Sequence, residues 1–112
     1  MYPARNRLRH ETEVKEVLMK GSSRSGKFVR AKIAKNAEGR TLVTVVVSKK
    51  TEKTAVGRNR IKRRVREVLR EAITKKAISG KSVVILVNPA AKLAKFQEIR
   101  EDVLRTLGYT QV

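Results

Sequence analysis

Residues 57–66 read GRNRIKRRVR, with six of ten positions Arg or Lys, yet Ile61 and Val65 stand inside this cluster four residues apart. The aliphatic spacing continues through Val68, Leu69, Ala72 and Ile73, the pattern of a helix with one core-facing stripe. At roughly 100° per residue that stripe fills one arc, and Arg60, Arg63, Arg64, Arg66 and Arg70 project elsewhere. The segment from about Arg58 to Lys76 therefore has to be an amphipathic helix: its aliphatics pin it to a domain, and its cations face something outside.

The chain around this helix has 112 residues, enough for one domain and little more. Its hydrophobic share of 40% can build a core, so a disordered basic tail is excluded. The formal net charge of +18 is the extreme feature. Such self-repulsion is best tolerated beside a polyanion, either nucleic acid or an anionic membrane surface. No apolar run approaches the roughly 20 residues that span a bilayer; the longest, VVILV at 83–87, suits a buried strand. The start, MYPARNRLRH, has no apolar core of a secretory signal, so a cytoplasmic location is expected. Cysteine is absent, which removes disulfides and thiolate metal sites.

Residues 1–7 are expected to be flexible. Glu11 to Lys20 places Val14, Val17 and Leu18 at helical spacing, and Gly21 can end that helix. GSSRSGK (21–27) reads as a loop, either a Ser/Gly connector or a mobile phosphate binder. FVRAKIA (28–34) alternates, with Phe28, Arg30 and Lys32 on one face and Val29, Ala31 and Ile33 on the other. Asn36 and Gly39 supply turn chemistry before the β-branched TLVTVVVS (41–48), so the two runs read as a hairpin. After the basic helix, Gly80 precedes the strand SVVILV (82–87). Asn88-Pro89 can open a last helix with the stripe Leu93, Phe96, Ile99, Val103, Leu104 and Leu107, closed by Gly108. The order α-β-β-α-β-α, with room for a short extra strand, describes an α+β single domain in which helices cover a sheet as a two-layer sandwich.

Catalytic chemistry is not evident. The chain has one His, His10, near its start, and one Asp, Asp102, read as solvated on a charge-rich helix. The Glu residues fall among Lys and Arg as surface helical pairs do. No zinc set, carboxylate cluster for magnesium, nucleophile with its base or Gly-rich phosphate loop is present.

The cations between Ser48 and Arg70 are offset only by Glu52 and Glu67, so internal pairing does not account for them. Arg predominates on the helix, and its planar fork takes phosphate oxygens bidentately. Asn59 is open to two readings, a donor and acceptor for a ribose or base edge, or the helix N-cap. Aromatic residues are few (Tyr2, Phe28, Phe96 and Tyr109), and Phe96 reads as core. Recognition should then rest on phosphates and shape, which favours structured RNA over a single strand.

SKKTEKTAVGRNRIKRRVRE (48–67) resembles the signature of the bacterial ribonuclease P protein family, an Arg-Asn-Arg block after Ser-Lys-Lys and Ala-Val. RNRLRHETEV near the start, VVSKK, and the late VVILVNPAA fit in order and spacing, so the resemblance covers roughly residues 5–107. It implies an α/β sandwich with a left-handed βαβ crossover, an exception to the right-handed rule. It also implies a non-catalytic protein subunit, with the chemistry carried by an RNA subunit that binds magnesium and removes the 5′ leader of precursor tRNA. On this resemblance Arg58, Asn59, Arg60, Lys62, Arg63, Arg64 and Arg66 contact ribonuclease P RNA. A cleft between the first helix and the sheet, with Val14, Leu18, Phe28, Val29, Lys49 and Lys50, holds the leader, a core role being the alternative for Phe28. Magnesium is expected mainly on the RNA and none on the protein alone, with neither a membrane nor an obligate protein partner.

The chain departs from the family pattern in places. Val14 and Leu18 stand where Phe is usual, Ala31 where an aromatic is common, and Glu52 where Gly is found. An Arg expected near Val87 and Asn88 is missing. Leader stacking should accordingly be weaker. The competing readings are a ribosomal or other structural RNA-binding protein, a DNA-binding protein presenting the basic helix to a major groove, and a membrane-surface module.

Overall fold

In the computed structural model, residues 11–35, 41–74 and 81–107 are described. The expectations for residues 1–7, His10, the Asn36–Gly39 turn, Gly80 and Gly108 lie outside them. The chain runs through α1 (Glu11–Lys20), β1 (Ser22–Ser25), β2 (Val29–Lys35), β3 (Leu42–Val47), α2 (Ala55–Thr74), β4 (Lys81–Val87) and α3 (Phe96–Thr106), with a 3-10 turn at Pro89–Leu93.

The sheet order is β1-β2-β4-β3. The hairpin expected from 28–34 and 41–48 does not form, because β4 lies between the two strands. It pairs antiparallel with β2, Ala31 opposite Ile85, and parallel with β3, Val45 opposite Ile85. The reason is in the side chains. SVVILV is apolar on successive positions and can be covered on both faces, the property of a central strand. By contrast β2 carries Arg30 and Lys32 on one face, so only its other face is apolar, and it lies between β4 and the short edge strand β1. Parallel β3 and β4 need a long crossover, and α2 supplies it. GSSRSGK is also more than a connector: Ser22–Ser25 forms an exposed edge strand against Arg30–Ile33.

Strand alternation sends Val29 and Ala31, Val43, Val45 and Val47, and Val83, Ile85 and Val87 to one face. There they pack with Ile61, Val65, Val68, Leu69 and Ala72 of α2 and with Ile99, Val103, Leu104 and Leu107 around α3. Those five residues of the stripe read inside the cationic cluster are thus buried. Each such Val or Leu contributes about 1.5–3 kcal/mol. A bidentate bridge ties the two helices, Arg100 Nε to Glu71 Oε2 at 3.0 Å and Nη2 to Oε1 at 2.6 Å. The opposite face takes α1: Val17 packs with Leu42 and Val84, flanked by Val14, Leu18, Ala34 and Leu86. Gly21 ends α1 by donating its N–H to the Val17 carbonyl at 2.8 Å. A Cβ there would stand 2.6 Å from that oxygen and 3.1 Å from the Ile33 carbonyl oxygen, so the tight turn onto β1 requires glycine.

Two readings of the C-terminal third change. Asn88-Pro89 opens the 3-10 turn, not the helix, and Lys95 at ψ 154° interrupts the backbone before α3 begins. This break shifts the helical phase, leaving Leu93 91% and Phe96 42% exposed while Ile99 stays in the core. Asp102, read as solvated, is only 1% exposed. It accepts the backbone N–H groups of Lys27 at 2.8 Å, Phe28 at 2.7 Å and Val29 at 3.1 Å, and the Arg105 guanidinium at 2.7 Å. Burial pushes its carboxyl up, but the bonds from Phe28, Lys27, Arg105 and Val29 outweigh that and hold it below the ordinary aspartate value.

Candidate nucleic-acid interface

The basic helix starts earlier than its aliphatic stripe suggests. Thr54 Oγ1 accepts the Gly57 N–H at 3.0 Å and the Thr54 carbonyl accepts the Arg58 N–H at 3.0 Å, so Thr54 caps a helix beginning at Ala55. The N-cap reading of Asn59 falls, because Asn59 is the fifth residue of α2 and is exposed. Helical spacing sets it on the outer face with Val56, Arg60, Arg63 and Arg70. Arg60, Arg63, Arg64 and Arg70 are exposed, whereas Lys62 and Arg66 are half-buried. Arg66 Nε is shielded from solvent and has no hydrogen-bond partner.

Arg58 differs from the other residues expected to meet RNA. Its Nη1 donates to the carbonyls of Lys53 at 2.8 Å and Glu52 at 3.1 Å, so this guanidinium holds the loop before α2. The same loop carries Lys49, Lys50 and Lys53, all exposed. Thr51 anchors it from beneath: its Oγ1 donates to the Val87 carbonyl at 3.1 Å and its N–H to the Ser48 carbonyl at 3.1 Å. Lysines on a pinned turn lose less freedom on meeting a phosphate than lysines on a floppy one.

The six residues assigned to a leader cleft are not brought together. Val14 and Leu18 lie half-buried on the α1 face of the sheet. Phe28 and Val29 are 8% and 0% exposed and belong to the core on the other face. Phe28 leaves the expected alternation because it precedes β2, where Asp102 binds three successive N–H groups and bends the chain. Ala31 lies in the same core.

The α1 face offers a different group. At the margin of the α1 cluster, exposed Arg30, half-buried Leu86 and Val46 form one cross-strand row, with Val46 37% exposed. Lys32 and Thr44 flank Val84 in the next row on the same face. The open row lies one residue from the β3 end that leads into Ser48 and the two lysines. The sequence held the signal for Arg30 and Lys32 in the alternation of FVRAKIA. Val46 was hidden by a run of valines in which nothing marks the face left uncovered.

Among the described residues no three of His, Cys, Asp and Glu come together to hold a metal ion, and no helix is long and apolar enough to cross a membrane. These features define a class: a small α+β domain that presents a cationic helix and a half-open sheet face. A family model described as Ribonuclease P matches residues 2–111, and this chain belongs to the ribonuclease P protein component family. It is 33% identical to the ribonuclease P protein component of Pseudanabaena sp. (strain PCC 6903), over 100% of this chain and 97% of that one. Against the Thermus aquaticus protein component it is 42% identical over 80% of this chain and 51% of that protein, spanning about half its length. In three dimensions it is similar to a Staphylococcus aureus RNase P protein mutant with defective mRNA degradation activity. The TM-score is 0.84 at 25% identity, covering 93% of this chain and 86% of that one.

Proposed function

We propose that this chain acts in a ribonucleoprotein that matures tRNA 5′ ends, binding the catalytic RNA of ribonuclease P and the leader of precursor tRNA. The observation that carries the reading is the outer face of α2, where Asn59, Arg60, Arg63, Arg64 and Arg70 are exposed on a helix whose other side is locked into the core. A rigid helix holds forked guanidinium groups at fixed spacing, so structured RNA can meet several phosphates without first ordering the protein. Arg58 contributes by fixing the loop of Lys49 and Lys50.

The open row of Arg30, Leu86 and Val46 is our candidate for the leader, bordered by Val14 and Leu18 and replacing Phe28 and Val29. Arg30 would take a phosphate and Val46 with Leu86 would give a base an apolar floor. Stacking is weak there, and cations carry most of the contact. The protein supplies binding and orientation. Magnesium is assigned mainly to the RNA, where it would support cleavage; this chain's described residues do not fit a site for it. A cytoplasmic setting follows from these partners.

The test is reconstitution. Ribonuclease P RNA, precursor tRNA and limiting magnesium are combined with and without the protein, and leader removal is followed. Restored cleavage is expected with the protein. Equal cleavage in both arms, with the RNA correctly folded, overturns the proposal.

A further inference from the structure

Glu52 is an anion in the middle of the cationic surface, between Lys49, Lys50 and Lys53 in sequence and beside Lys92 in space. Coulomb's law alone would remove it from a surface that meets phosphate. Its surroundings show what it does there. Glu52 Oε1 accepts the Thr54 N–H at 3.3 Å and the Thr54 hydroxyl at 3.4 Å, at the residue that caps α2. Its other oxygen pairs with Lys92 Nζ at 3.5 Å, reaching the 3-10 turn after β4. The Thr54 N–H, and then the Lys92 charge, hold its carboxyl below the usual range against the opposing effect of burial, so it is ionised at neutral pH.

The fit is close. A Cβ on Gly57 would stand 2.5 Å from Glu52 Cγ, so the side chain at 52 occupies the space left by the missing one at 57. The backbone carbonyl of Glu52 meanwhile receives Arg58 Nη1 at 3.1 Å. One residue thus touches the helix cap, the first turn of α2, the loop arginine and the 3-10 turn.

We propose that Glu52 is a positioning residue for RNA-subunit binding: it sets the shape of loop 48–54 on the start of α2 and draws Lys92 into the same surface. The inference rests on the reading of α2 as the RNA face. Its cost is one repelled phosphate, and its return is a fixed array of Lys49, Lys50, Lys53 and Lys92.

Positioning and plain charge predict opposite signs. The full chain carrying Glu52→Gln or Glu52→Ala is titrated against ribonuclease P RNA and against heparin, a polyanion with no defined fold. Loss of an anion by itself tightens both. Loss of a positioning residue weakens the RNA complex roughly three- to tenfold, as expected when one or two interface side chains must be ordered on binding, while heparin affinity holds or rises. Thermal melts establish that the variants are folded. Lys92→Met keeps the aliphatic stem, breaks the bridge from the other side and should lower the RNA-to-heparin ratio in the same direction. Should the Glu52 variants not fold, an unchanged ratio for Lys92→Met overturns the proposal; so does equal tightening of both ligands by folded Glu52 variants. Failure of the wild-type chain to prefer ribonuclease P RNA over heparin would instead sink the RNA-face reading, and this inference with it.

Discussion

The carboxylate of Asp102 accepts the backbone N–H of Phe28 at 2.7 Å, joining α3 to the start of β2 across 74 positions of sequence. With Lys27, Val29 and Arg105 also bound, the group is buried but fully engaged. Gly26 makes room for it, since a Cβ there would stand 2.5 Å from Asp102 Oδ2. Replacing Asp102 with Ala strands three backbone donors. The expected loss is about 3–5 kcal/mol, the range for breaking a buried charged network. Urea unfolding followed by circular dichroism checks it, and a loss below about 1 kcal/mol would show that water replaces the carboxylate.

The same group makes stability depend on acid. Its folded pKa lies below the ordinary 3.8, so its contribution is complete above that value and disappears as pH falls through the lower, folded value. Arg105 is the charged side chain that faces it, at 2.7 Å. Melting temperature should therefore drop below about pH 4, and less steeply in Asp102→Asn than in the wild type. Parallel acid limbs in the two proteins would assign the effect to other carboxyls.

Little of this was legible beforehand. The stripe on α2 was, because a 3.6-residue period survives any amount of charge around it. Asp102 was not: its partners are backbone N–H groups, which leave no mark in the residue pattern. The core role left open for Phe28 is the one it has, but its face was hidden because a three-bond clamp breaks the alternation. At Phe96 two extended residues break the helical phase instead. The strand order was half legible, in that VVILV marked a buried strand but not which neighbours it would separate. The cationic face of α2 could be read from residue types alone. The open row of Arg30, Leu86 and Val46 required knowing where the margin of the α1 cluster falls.

The Glu71–Arg100 bridge should act as a measurable brace between α2 and α3. Both side chains are about a quarter exposed, at 26% and 21%, and the geometry is bidentate. A double-mutant cycle with Glu71→Ala and Arg100→Ala is expected to give a coupling of about 1 kcal/mol, the upper end for partly exposed pairs. Strictly additive losses would mean that packing, not pairing, holds the helices there.

For the leader, Arg30 and Val46 are the positions to change. Val14 and Leu18 pack toward Leu42 and Val84, so Phe at either would press on the small core beneath α1. Val46→Phe adds a stacking face without that cost, and aromatic stacking contributes about 1–3 kcal/mol per base. In the holoenzyme it should tighten precursor tRNA at least fivefold, the lower end of that range, and leave mature tRNA unchanged. Arg30→Ala should weaken precursor binding alone. Equal effects on both tRNAs would move the leader off this face.

The central claim is that α2 presents its arginines to RNA phosphates, and the salt dependence of binding to ribonuclease P RNA tests it most directly. Each phosphate that an arginine neutralises releases condensed counterions, contributing roughly 0.7–0.9 to the slope of log affinity against log salt. Arg60→Ala with Arg63→Ala, both exposed on the outer face, should flatten that slope by roughly one unit for each phosphate no longer neutralised. The fold should be intact in melts, because neither side chain enters the core. A slope unchanged in the folded double variant would contradict the account and put the RNA on another surface of the domain.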